Sequence, residues 1–315
     1  MKKNILLIDI DSVIPNLALK KCEIYHKGIC DSVETSQMFE SWADKIYVST
    51  VFEWSKEKTD HWKLNDRAII GGTGHDYSVK LPKEIDEIIP KINIGFTTRG
   101  CIRKCDFCFV PKMEGMIRPV CSIYEIWDGK SKELMLLDNN ILALPGHFKG
   151  ICSQIRKEKL RVDFNQGLDL RLLYANREIL LEELQTIRHP EYKFAWDQDD
   201  DSMVSKLEWL HDNLGRCTVY VYQEKYPYEK IMWKLNELKR MGHNAHLMLH
   251  LSLRDDKKYK RLRSWANAHA LFQGMSFDEY CNSSGKIDKT LSKVKRKSHG
   301  EVVAPESIQE GLFNE

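Results

Sequence analysis

Three cysteines, Cys101, Cys105 and Cys108, fall within eight positions, in the run from Gly95 to Pro111. Closely spaced thiolates are iron–sulfur ligands. Three of them leave one iron of a four-iron cluster open to an external chelating ligand. Zinc is the alternative, but structural zinc sites take four protein ligands. No second Cys pair or Cys/His pair lies nearby, and His61 and His75 stand upstream without the spacing. The apolar run Ile92 to Phe96 comes directly before, so a buried strand is expected to deliver the thiols onto a loop at its C-terminal end.

Cys-x3-Cys-x2-Cys, with the aromatic Phe107 before the last cysteine, resembles the signature of the radical S-adenosylmethionine (radical SAM) superfamily. The resemblance implies a [4Fe-4S] cluster on Cys101, Cys105 and Cys108, with S-adenosylmethionine on the open iron. It also implies reductive cleavage to a 5′-deoxyadenosyl radical that abstracts a substrate hydrogen, and an electron donor such as flavodoxin or ferredoxin. Thr97 to Cys101 is similar to the corresponding loop of methylthiotransferases. Their additional N-terminal cysteine cluster and C-terminal RNA-binding domain have no counterpart here, so RNA methylthiolation is not expected. The substrate stays unidentified at this stage.

The chemistry needs elements to hold it. Asn4 to Asp9 is a continuous aliphatic run, as a strand buried on both faces requires. A helix is expected to start at Pro15, run over Asn16 to Tyr25 and end at Gly28. Strands follow at Lys45 to Val51 and Arg67 to Ile70. This rhythm predicts a Rossmann-like, flavodoxin-type parallel sheet over residues 1–90. It is similar to the cobalamin-binding-type domain that precedes the barrel in one branch of the superfamily, but it lacks the Asp-x-His-x-x-Gly motif. Asp9-Ile10-Asp11-Ser12 stands near that position without a histidine. The resemblance therefore implies a domain of this type without cobalamin, and the rival readings are a cobalamin-dependent methyltransferase and a non-enzymatic iron–sulfur or zinc binding protein. Gly71-Gly72-Thr73-Gly74 reads as a tight turn or as a phosphate cradle.

From residue 92 to 272, strands and helices alternate about six times. Strands are expected at Ile92 to Phe96, Leu134 to Leu137, Val162 to Phe164, Lys193 to Trp196, Thr218 to Tyr222 and Ala245 to Leu249. Helices are expected at Ser122 to Ile126, Gly150 to Lys159, Asn176 to Ile187, Met203 to Leu214 and Pro227 to Met241. The fold class is α/β. The superfamily resemblance implies a partial (β/α)6 TIM-type barrel, whose chemistry lies at the C-terminal strand ends.

That rule selects candidates. Asp138-Asn139-Asn140 looks like the superfamily element that contacts the methionine amino group, or it is a turn. Gln166 and Asp169 are placed to bond ribose hydroxyls and Arg171 to hold a carboxylate, unless they form a network of their own. Asp197, directly after a strand, and Tyr222 are the catalytic candidates. The acidic run after Asp197 lacks a calcium-loop spacing. Cys121, Cys152, Cys217 and Cys281 stand apart and read as small hydrophobes.

Composition narrows the setting. The net charge is +2, which gives no overall case for a nucleic-acid binder, although a local contact stays open. No long apolar run reads as a membrane span or signal peptide. Nine cysteines without regular pairing fit a reducing, cytoplasmic location. Residues 273–315 are expected to form a polar basic tail containing Lys293 to Lys297.

Overall fold

The computed structural model describes residues 2–197, 200–224 and 226–283. These residues form an α/β protein with parallel sheets, divided into two compact units. Of the described residues, the first comprises those within 2–130 and 134–139, the second those within 131–133 and 140–283. Among the described residues no helix is long and apolar enough to cross a membrane.

In the first unit, strands β1 (Asn4–Asp9), β2 (Ser32–Glu34), β3 (Lys45–Ser49) and β4 (Ala68–Gly71) make a sheet of order β2-β1-β3-β4 with every pairing parallel. The aliphatic run of β1 is buried because both faces are covered. Ile5, Leu7 and Tyr47 pack with Leu19 and Cys22 of α1 (Leu17–Gly28) and with Ile85 of α3 (Lys83–Asp86). On the other face Leu6, Ile8, Ile46 and Val48 pack with Trp62 of α2 (Asp60–Lys63). The first helix begins one residue later than Pro15 suggests. Asn16 is its N-cap, accepting from the Leu19 N–H at 3.2 Å, because a side-chain oxygen there satisfies an end N–H that proline cannot. Strand β2 has no sequence signature, being three half-polar residues at the sheet edge.

The same unit holds β5 (Ile94–Gly95), β6 (Thr98–Arg99), α4 (Val110–Glu114), β7 (Arg118–Pro119) and, from Leu134 onward, β8 (Glu133–Leu136), with β5 parallel to β8 and β6 antiparallel to β7. The helix expected over Ser122 to Ile126 is a single 3-10 turn, Ile123–Glu125. Ser122 and Glu125 close it as a capping box.

The second unit contains α5 (Pro145–Glu158), β9 (Arg161–Phe164), α6 (Leu170–Ala175), α7 (Arg177–Gln185), β10 (Lys193–Ala195), α8 (Met203–Leu214), β11 (Thr218–Gln223), α9 (Tyr228–Arg240), β12 (Asn244–Leu249), α10 (Lys257–Ala266) and α11 (His269–Gly274). Strands β10, β11 and β12 form a parallel sheet in that order, and a single parallel bridge, Leu168 to Phe194, joins it to the turn after β9. All six strands expected between residues 92 and 249 are present.

The C-terminal segment departs from expectation where it begins. The Phe277 ring lies 5.5 Å from Trp265, and Tyr280 is buried, so packing continues past residue 273. The basic run 293–297, like Gln198 and Asp199 of the acidic run, lies outside the described residues.

Candidate active site

The cysteine loop is an excursion between two paired strands. Thr98 pairs with Pro119 and Arg99 with Arg118, so residues 100–117 leave and return through one antiparallel neck. Gly100 opens the loop at φ +86°, and a Cβ there would stand 2.5 Å from the Met116 carbonyl oxygen and 2.6 Å from that of Gly115. Only glycine meets both demands. The Cys101 N–H donates to the Gly115 carbonyl at 3.2 Å, and the Cys108 N–H to the Cys105 carbonyl at 3.0 Å.

Glu114, which no sequence pattern singled out, ties this loop together. Its side chain is 6 % exposed and accepts from the Arg99 guanidinium (2.8 Å), the Gly100 N–H (2.7 Å) and the Asn139 side-chain amide (3.0 Å). Arg99 in turn lies over the Phe96 ring at 4.0 Å. The signal that could have revealed Glu114 is its place just before Gly115 at the end of the short helix α4, but its partners come from the fold. Asn139 is therefore engaged in bracing the loop.

Asp138 braces the root of the loop. One carboxylate oxygen accepts from the hydroxyls of Thr97 (3.0 Å) and Thr98 (2.6 Å) and from the Thr98 N–H. The other, Oδ2, is buried with no hydrogen-bond partner. Burial drives the Asp138 carboxyl up to about 6, against the pull of the threonine donors.

Cys101, Cys105 and Cys108 are half-buried, and the Arg103 N–H points at Cys101 Sγ at 3.3 Å. Phe107 is 40 % exposed, and Phe109 stacks on Tyr77 at 6.1 Å. The other thiols differ. Burial pushes Cys22, Cys121 and Cys217 up to about 12 and Cys152 higher still, which keeps them protonated and inert. Among the described residues no group of three or more His, Cys, Asp or Glu side chains is drawn together tightly enough to hold a metal ion. The chemistry of the loop nevertheless fits a thiolate-bound cluster. Three accessible thiols lie on one braced loop, an amide is aimed at a sulfur, and metal sites commonly gather their ligands only with the metal. The orphaned oxygen of Asp138 fits a ligand ammonium.

At the carboxyl ends of β1 and β3, where the strand order reverses and open α/β sheets bind ligands, the chain supplies its own anion. Asp11 accepts from the Val51 N–H (2.7 Å), the Phe52 N–H (3.0 Å) and the Thr50 hydroxyl (3.0 Å). Burial works against the charge, but these donors outweigh it and hold the Asp11 carboxyl below the usual range. Gly72, at φ +100°, packs so closely that a Cβ would lie 2.2 Å from the Thr50 carbonyl oxygen. That tight turn accounts for the glycine.

In the second unit three of the candidate residues, Asn140, Asp169 and Arg171, form a linked group. Asn140 approaches Asp169 at 3.5 Å, and Asp169 takes the Arg171 guanidinium bidentately at 3.0 and 3.2 Å. Asp169 also caps α6 through the Arg171 N–H. The polar run is thus the start of a helix, and the carboxylate that Arg171 grips is its neighbour's. Gln166 is exposed. Burial raises the Asp197 carboxyl to about 6. The Lys234 ammonium, the Tyr222 backbone N–H and Arg171 pull it back, and Asp169 adds to the rise. Tyr222 is half-buried.

No protein-family model, curated protein or solved structure matches the chain.

Proposed function

We propose that the protein is a radical SAM enzyme acting on a substrate yet to be identified. The observation that carries the reading is the Cys-x3-Cys-x2-Cys loop, held shut at its neck by Gly100, Glu114 and the β6–β7 pairing. Cys101, Cys105 and Cys108 would hold a [4Fe-4S] cluster. Cluster and S-adenosylmethionine, when bound, supply one-electron cleavage of the sulfonium and a 5′-deoxyadenosyl radical.

The chain's own residues do the rest. Arg99 and Glu114 fix the loop entrance. Thr97 and Thr98, held by Asp138, fix the strand from which it springs. The free oxygen of Asp138 is an acceptor for the amino group of the methionine moiety, and binding such a cation favours the ionised carboxylate. Phe107 offers an apolar surface beside the thiols. The partial barrel over 91–272, the sheet domain over 1–90 and a flavodoxin- or ferredoxin-type electron donor belong to the same proposal.

Cobalamin does not fit the residues present. The segment after β1 offers carboxylates and no histidine, and Asp11 already occupies the amides at the strand ends. No step is therefore routed through it.

Anaerobic iron and sulfide analysis tests the reading. Reconstituted wild type is expected to hold about four irons per chain, and Cys→Ala variants at 101, 105 and 108 to lose them. Stoichiometric zinc in anaerobically prepared protein would overturn it.

A further inference from the structure

Parallel sheets are usually apolar on both faces, since helices cover both. The β10–β11–β12 sheet is apolar on one. Phe194, Val219, Val221, Ala245 and Leu247 are buried there. By strand alternation and register, the opposite face carries three rows: Lys193 with Thr218 and Asn244, Ala195 with Tyr220 and His246, and Tyr222 with Met248. Asp197, two residues past Ala195, falls in the third row by the same alternation.

The first two rows make most of their polar contacts within the unit, although the side-chain oxygen of Asn244 is buried without a hydrogen-bond partner. Lys193 pairs with Asp163 at 2.7 Å, and Thr218 and Asn244 both donate to Glu191, at 2.6 and 3.1 Å. The Tyr220 hydroxyl donates to the Asn165 carbonyl at 3.1 Å, and its ring meets His246. In the third row the unpartnered atom belongs to a carboxylate. Asp197 Oδ1 is buried and has no hydrogen-bond partner.

Two cations nearby, Lys234 and Arg171, act on the Asp197 charge through space, but neither donates a hydrogen bond to Oδ1. Arg171 is held bidentately by Asp169. Lys234, fully buried, donates to the Trp196 carbonyl at 3.3 Å and lies 4.6 Å from the Tyr226 ring centre. An unsatisfied carboxylate oxygen inside a fold is costly, and a cation that donates hydrogen bonds removes the cost. Half-buried Tyr222 and Met248 beside it offer an aromatic face and a thioether, which suit an aliphatic stem carrying positive charge.

We propose that Asp197, Tyr222 and Met248 form a subsite for a primary alkylammonium group, with the ammonium on Asp197 Oδ1 and the stem against Tyr222 and Met248. As the grip on a substrate this rests on the enzymatic reading above, but binding itself does not require a loaded cysteine loop.

The test is titration of n-butylammonium chloride into the full chain, with and without cluster reconstitution, followed by saturation-transfer NMR. One-site binding with a Kd on the order of 1 mM is expected, weakened about tenfold or more in Asp197→Asn. Butyltrimethylammonium, a cation without donors, should bind about tenfold more weakly than butylammonium. Tyr222→Phe, which keeps the ring, should retain binding, and it guards against a misfolded Asp197→Asn. Failure of folded wild type to bind at about 50 mM, or equal binding by wild type and Asp197→Asn, would overturn the subsite. Binding that depends on Asp197 in a protein that forms no 5′-deoxyadenosine would uphold the subsite and remove the enzymatic reading alone.

Discussion

Replacing Asp138 by asparagine removes a charge that the fold holds at a cost. In the folded chain the carboxyl titrates at about 6, against an ordinary value of 3.8, and burial is the main cause. A raised acid favours the folded state when protonated. Its stabilising contribution is complete below about 3.8 and is lost as pH rises through about 6. The shift of roughly two units corresponds to about 3 kcal/mol over the full range, of which about 1.4 kcal/mol falls between about pH 5 and about pH 8. Asparagine keeps an acceptor for Thr97 and Thr98 and does not titrate. Urea unfolding of both proteins at the two pH values cancels the titration of all other groups, Asp197 included. On going from about pH 5 to about pH 8, wild type should lose about 1.4 kcal/mol more stability than Asp138→Asn. A difference between the proteins that does not change with pH, or that changes in the opposite sense, would refute the placement of a buried, under-compensated carboxylate at the root of the loop.

Other substitutions read other parts of the structure. Glu114→Ala leaves the partly exposed Arg99 guanidinium and the Gly100 N–H without their acceptor. It should lower stability by about 3 kcal/mol and speed the loss of reconstituted iron to a chelator, and a chelation rate equal to wild type would contradict its bracing role. Gly100→Ala forces a Cβ against two carbonyl oxygens at positive φ. A loss of about 2 kcal/mol or more in urea unfolding is expected, and a neutral result would show that the neck is open. Asp11→Ala strips three donors of their carboxylate and should cost about 2 kcal/mol at neutral pH. Because the Asp11 carboxyl is depressed, its contribution is present above about 3.8 and fades as pH falls through its lower folded value. The gap between wild type and Asp11→Ala should therefore narrow only in strong acid, as followed by circular dichroism.

The parts of the fold that could be read from residues are those where local pattern and burial agree. The run Asn4 to Asp9 is aliphatic throughout because the sheet is covered on both faces. Met203 to Leu214 matches its helix residue for residue because Met203, Leu207 and Leu210 recur on the buried side. Edge strand β2 escaped notice because an edge asks little of Ser32, Val33 and Glu34. Helix α6 escaped because the polar run before it reads as a ligand site, when Asp169 is its cap and the partner of Arg171. The cysteine spacing announces a candidate chemistry by itself. Glu114 and the neck formed by β6 and β7 do not, because pairing of Arg99 with Arg118 is a property of the folded chain. Asp138 and Asp197 were visible as polar residues after strands. Their unpartnered oxygens were not, since a missing partner is defined only once the packing is known.

The central claim concerns electron-driven cleavage at the cysteine loop, and product analysis tests it most directly. Anaerobically reconstituted wild type, reduced with dithionite in the presence of S-adenosylmethionine, is expected to release 5′-deoxyadenosine, and Cys105→Ala treated identically is expected to release none. Equal amounts of 5′-deoxyadenosine from both proteins, or none from an iron-loaded wild type, would contradict it.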